Sequence, residues 1–187
     1  MLKVIYDKLI LLFTKPEIAW VQFQSEKNSM SIVMNKFSYP LMIAGAVLLM
    51  IADVLFRHDS FHVAIIHGLI DFITLFSSFF IVRFFLSMLL EKKYTLKVGK
   101  ELLSLVTGYS FSIVYLLYIF TALSPSFFFL WIFFFYTPYL IWIAADVIFH
   151  IESEARGTFV LGLTGLIAGV PWIISFIFNN LFLPNLK

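Results

Sequence analysis

Five apolar blocks dominate this chain, each close to or longer than the roughly 20 residues a helix needs to cross a bilayer. They run over Tyr39–Phe56, Val63–Leu90, Leu105–Leu123, Phe127–Phe149 and Thr158–Leu183. In hydrocarbon every backbone N–H and C=O must be satisfied within the protein, which leaves helices or a closed barrel. Barrel strands alternate apolar and polar residues over about ten positions, and these blocks are longer and do not alternate. The pattern predicts an all-α fold: a polytopic membrane bundle of five transmembrane helices over residues 39–187. Short interfacial helices in residues 1–38 precede it.

Composition agrees. The chain is 61% hydrophobic and 13% charged, against about 45–50% and about 25% for soluble domains. The five blocks use most of the 187 residues, so one membrane domain is expected. A net charge of +2 is too small to point to nucleic acid, and none is expected as a partner. The absence of cysteine removes disulfides, thiolate metal ligands and a cysteine nucleophile. The apolar stretch Leu9–Phe13 is shorter than a signal-peptide core, so no cleavable signal is expected.

The basic residues set the expected threading. Lys3, Lys8, Lys15, Lys27 and Lys36 precede the first block, Lys92, Lys93, Lys97 and Lys100 fill the second connector, and Arg156 lies in the fourth. The other connectors and the far terminus hold only Arg57 and Lys187. The positive-inside bias predicts a cytoplasmic N-terminus and an exterior C-terminus on a multi-pass cell-membrane protein.

In the N-terminal segment Leu2, Ile5, Leu9, Leu12 and Phe13 recur at helical spacing between Lys3, Asp7 and Lys8, as in a helix lying on a membrane surface. Thr14 and Glu17, with Pro16 between them, fit a capping box that opens a second helix over about 15–35. An interfacial anchor is the favoured reading of this segment, and a docking surface for a partner is the alternative.

Ionisable groups inside spans are costly and are candidate functional positions. Four stand out: Asp53, Asp71, Arg83 and Asp146. Depth pairs Arg83 with Asp146 as a structural ion pair, with an ion or proton path as the other reading. On the opposite side His67 and Asp71 are one helical turn apart, with Asp53, Asp59, His58 and His62 nearby. A satisfied His–Asp hydrogen bond is the plainer account; His67, Asp71 and Asp53 are weak metal-ligand candidates, short of a full zinc set. Gly162, Gly165 and Gly169 form a small-residue stripe for helix packing within the bundle. Pro138 and Pro171 are expected to kink the last two spans. The fourth block, aromatic nearly all round, suits a lipid-facing helix.

No nucleophile elbow, zinc-protease helix motif or phosphate-cradling glycine loop occurs, so neither an enzyme nor a cofactor is expected.

The stretch Thr14-Lys-Pro-Glu-Ile-Ala-Trp20, Glu26, Tyr39-Pro-Leu41 at the mouth of the first block and Thr107-Gly-Tyr-Ser110 in the third resemble segments of bacterial Yip1-domain proteins. The five-span layout is similar over nearly the whole chain. The resemblance implies a non-enzymatic inner-membrane scaffold or adaptor with a membrane-protein partner or a second copy of itself. Eukaryotic members are associated with Rab-type GTPases and vesicle traffic. This chain lacks their Asp-Leu-Tyr-Gly-Pro-like segment and a proline shortly after Tyr109, and no functional residue carries over. The competing reading, from the intramembrane charges and prolines, is a small ion-coupled transporter or permease.

Overall fold

The computed structural model describes residues 2–26 and 30–182. Lys27, Lys187 and Leu183 lie outside the described residues, as does part of the second helix expected over 15–35. The described chain is all-α, with no strand among the described residues. Two short helices come first, α1 (Leu2–Thr14) and α2 (Pro16–Ser25). Five helices long and apolar enough to cross a membrane follow: α3 (Met30–Phe56), α4 (Phe61–Tyr94), α5 (Lys100–Leu123), α6 (Pro125–Val147) and α7 (Ser153–Phe182).

Local chemistry explains the irregular stretches. The start of α3 extends back to Met30 rather than Tyr39, through a π-helical turn at Met34–Ser38. The Tyr39 N–H reaches back to the Met34 carbonyl, and Pro40, next in the chain, has no N–H to give. A wide turn just ahead of a proline is one way to absorb the missing bond. In α6 the aromatic run Pro125–Phe135 is a 3-10 helix, and the chain becomes α-helical from Tyr136. Pro138 therefore sits in the first turn of an α segment, where an absent N–H costs little, and not at a mid-helix kink. Pro171 does lie inside α7. Ser60 caps α4, its hydroxyl accepting from the Val63 N–H, and Thr95 closes it in the left-handed region (φ 56°).

The centre of the bundle is a helix. In α5, 78% of the most apolar stretch is buried, against 28–39% in the other four spans. Around it α3 packs on α4, α4 on α7, α7 on α6, and α6 on the second half of α5. The outward faces of α6 and α7 are apolar and exposed, with Phe128, Phe129, Phe135, Leu161 and Trp172 among them, as expected of surfaces that meet lipid.

Antiparallel threading puts the ends of α4 and α6 and the starts of α3, α5 and α7 together. We call this the lysine-rich end, and the other, which carries the α3–α4 loop, the histidine end. The N-terminal helices form a hairpin packed into the bundle from the lysine-rich end to the middle of α6, not a free surface helix. Ile5, Leu12, Ala19, Trp20 and Phe23 are buried. The α2 helix packs on α6 and the first half of α5, and α1 meets the π turn of α3. Thr14 does not cap α2: its hydroxyl bonds the Ile10 carbonyl at 2.7 Å within α1, and Lys15 precedes Pro16 without a side-chain cap. Lys8 ties the hairpin arms by pairing with Glu26 at 2.6 Å.

Tyr109 is the hub that receives this hairpin. Its ring stacks on Phe23 with centroids 4.1 Å apart, meets Phe37 at 4.6 Å and Trp20 edge-on at 6.3 Å. The Lys8 ammonium lies 4.5 Å from the Phe23 ring centre. The Trp20 indole N–H donates to the Leu140 carbonyl at 3.1 Å, and the Tyr136 hydroxyl donates to the Phe13 carbonyl at 3.0 Å. Close aromatic packing of this kind contributes about 0.5–1.5 kcal/mol per pair beyond area burial.

Candidate functional site: a charged cluster at the histidine end

The last turn of α3 and the first turns of α4 converge on Asp53, which is fully buried. One carboxylate oxygen accepts from Nη1 of Arg57, the residue that follows the last turn of α3, at 2.5 Å. The other lies 2.6 Å from Nδ1 of His67 on α4. With Nδ1 as the protonated nitrogen, the imidazole donates to Asp53, whose carboxylate oxygens accept from both sides. The loop closes the site. His58 adopts a left-handed backbone (φ 58°), the chain doubles back, and the Asp59 N–H bonds the Asp53 carbonyl at 3.0 Å.

This turn brings one ligand atom each of Asp53, Asp59 and His67 within 4.8 Å of one another. The expected candidate set of His67, Asp71 and Asp53 is thereby corrected: Asp59 joins the group and Asp71 does not. The reason is depth. Asp71 lies four residues further along α4, a rise of about 6 Å, while the loop folds Asp59 onto the top of the cluster. Asp71 is half-buried and has His67, Asp53 and Arg57 as charged neighbours. One imidazole and two carboxylates are suitable donors for a divalent ion. Asp53, however, is already engaged on both oxygens, so the arrangement is a closed charge network that joins α3 to α4. His62 and His58 are exposed and lie outside this set of donors.

The expected Arg83–Asp146 ion pair is not formed. Asp146, whose side chain is 59% exposed, pairs with Arg156 at 2.6 Å, and that guanidinium also bonds the Ile151 carbonyl and lies over the Trp142 ring. Arg83 donates from Nη1 to Ser104 Oγ at 3.2 Å and contacts Met30 Sδ at 2.9 Å, with its guanidinium 5.5 Å from the Phe80 ring centre. Arg83 lies about three turns before the end of α4, whereas Asp146 lies in the last turn of α6, so the two differ in depth as well as in azimuth. The α4 helix packs on α3, α5 and α7, not on α6.

The glycine stripe is also corrected. A Cβ at Gly165 or Gly169 would meet nothing within 4 Å, and one at Gly162 only Leu89 at 3.6 Å, an ordinary contact. The close approaches fall elsewhere. At Gly68 a Cβ would collide with Met50 and lie 2.9 Å from the Ala46 carbonyl oxygen; at Gly108 it would lie 2.7 Å from Val33. Single glycines inside apolar helical runs were the available signal for both. Likewise, the four-residue spacing of Asp53 and Arg57 was the signal for their pairing.

Compared with known proteins, the chain matches no family model, no curated protein and no solved structure.

Proposed function

We propose that this is a non-enzymatic multi-pass membrane protein of scaffold or adaptor type, Yip1-like, seated in an inner membrane with the lysine-rich end and the N-terminus on the cytoplasmic side. The observation that carries the reading is the filled bundle axis. Where a channel has its pore, this protein has α5, packed along its length by Leu105, Val106, Tyr109, Phe111, Tyr115 and Leu117. The docked hairpin adds a fixed outward surface, with Tyr6, Ile10, Ile18 and Val21 exposed for lipid or a membrane-protein partner. The lysine asymmetry supports the orientation.

Two measurements test this. Reporter fusions at Ser60, Ser126 and the C-terminus are expected to report exterior, and fusions at Lys97 and Ser153 cytoplasm; a cytoplasmic C-terminus overturns the threading. Photocrosslinkers at Ile18 and Val21 are expected to yield discrete protein adducts in cells, and their absence at both positions removes the adaptor role.

A second reading, a small ion-coupled permease, has its own support. The Asp53–His67 pair could exchange a proton, and the hydroxyls of Thr74, Thr107, Ser110 and Ser112 are buried in the bundle without a hydrogen-bond partner. The purified protein in liposomes separates the two. The scaffold predicts proton and divalent-cation fluxes equal to those of empty vesicles; a flux abolished by Asp53→Asn overturns it in favour of the permease.

A further inference from the structure

The lysine-rich end carries a groove between α4 and α7 with apolar walls and a basic mouth. Its walls are Phe85, Leu89, Gly162 and Leu166, its mouth is Lys92 and Lys93, and its volume is about 440 Å³. Spacing builds it. Phe85, Leu89 and Lys92 lie at i, i+4 and i+7 on one face of α4, while Gly162 and Leu166 are one turn apart on α7. Gly162 leaves the wall low: a Cβ there would reach only Leu89, at 3.6 Å.

The charge at the mouth is of one sign. Lys92 and Lys93 are exposed, and neither joins an ion pair among the described residues. Lys93 lies 6.0 Å from the Tyr94 ring centre, a contact that leaves its N–H groups free to donate. Glu91, the adjacent acid, lines a separate groove with Ser87, Leu96 and Lys97. A cationic pair above an apolar slot on the lipid-facing side of a bundle matches a molecule with an anionic head and hydrocarbon tails.

We propose that this groove is a binding site for an anionic phospholipid, its phosphate between the Lys92 and Lys93 ammonium groups and one acyl chain against Gly162. Basic pockets between spans recognise anionic head groups in this way. The inference rests on the five spans lying in a bilayer and holds under either function proposed above.

The test uses the full chain, purified and delipidated in detergent. Phosphatidylglycerol and phosphatidylcholine with identical chains are titrated in, and bound lipid is counted by native mass spectrometry. One saturable phosphatidylglycerol adduct is expected, with phosphatidylcholine binding more weakly. Lys92→Gln and Lys93→Gln should each weaken it by about fivefold, the equivalent of roughly 1 kcal/mol per basic residue near a membrane surface. Gly162→Leu, which fills the slot and favours helix, should reduce the adduct with both lysines intact. Lys97→Gln with Lys100→Gln, at the same end but outside the groove, should leave it unchanged. Equal binding of the two lipids, equal weakening by the Lys97/Lys100 variant, or full binding by Gly162→Leu each overturns the site.

Discussion

Asp53 and His67 meet at 2.6 Å across the first hairpin of the bundle, and the same carboxylate is gripped from its own helix by Arg57. A fully buried carboxylate is destabilising unless both oxygens are satisfied. Here one cation comes from α3 and one donor from α4, so the network fastens the two spans at the histidine end.

Removing the carboxylate should cost more than removing the imidazole. Asp53→Ala removes the acceptor that Arg57 and His67 share while both keep access to solvent, and a loss of about 1.5–3 kcal/mol is expected for hydrogen bonds to a charged group. His67→Gln keeps a donor and should cost about 1 kcal/mol. The double variant should lose less than the sum, since part of each single loss is the orphaned partner. Reversible unfolding in mixed micelles measures all three. Strict additivity would show that the contact does not persist in the membrane.

Trp20 is expected to hold the N-terminal hairpin in place. It is fully buried, touches Phe23 and Tyr109, and donates to the Leu140 carbonyl. Trp20→Phe retains most of the packing and forfeits one hydrogen bond, a loss of about 1 kcal/mol. Trp20→Ala leaves a cavity and should cost about 3–5 kcal/mol. The loss should fall on the hairpin: hydrogen exchange over residues 2–26 should accelerate while α4 and α7 remain protected. A uniform acceleration across the bundle would mean that the hairpin is not a separate docking unit.

Arg83 and Asp146 should behave as strangers. The Asp146–Arg156 pair is surface-exposed on the carboxylate side, so Asp146→Asn is expected to cost under about 1 kcal/mol. Combined with Arg83→Gln, the coupling should fall below about 0.5 kcal/mol, as for residues without shared partners. A larger coupling would place the two residues in contact and contradict the arrangement around α5.

These cases mark what sequence could and could not show. Span number and helix type were legible because hydrocarbon imposes them on composition and length alone. The exposure of the aromatic run of α6 was legible from its composition, although its 3-10 geometry was not. Depth was legible only coarsely, so Asp71 was grouped with Asp53 and His67, and Arg83 was set level with Asp146. Azimuth was not legible. Which face of α4 meets which neighbour depends on the packing order around α5, so Arg83 was matched with a carboxylate although it meets the Ser104 hydroxyl. Asp59 escaped because its position depends on a left-handed residue, His58, in a loop with no glycine to announce it. The hairpin was read as interfacial because amphipathic spacing identifies a buried face without saying what covers it.

Glycine positions provide the sharpest test of the packing. Gly68 lies where α4 crosses α3, and an added Cβ would press on Met50 and on the Ala46 carbonyl oxygen at 2.9 Å. Met50 is flexible and can move aside, but backbone cannot, so Gly68→Ala should cost about 1–3 kcal/mol through overpacking. Gly165 sits on an open face of α7 with nothing within 4 Å. There Gly165→Ala removes unfolded-state freedom without a clash and should be neutral or stabilising by up to about 1 kcal/mol. Thermal denaturation of the two variants in detergent provides the comparison, with unchanged oligomeric state by light scattering as the control. If Gly165→Ala destabilises as much as Gly68→Ala, the α7 stripe is an occupied helix interface in solution, and the lipid-facing assignment of that face falls.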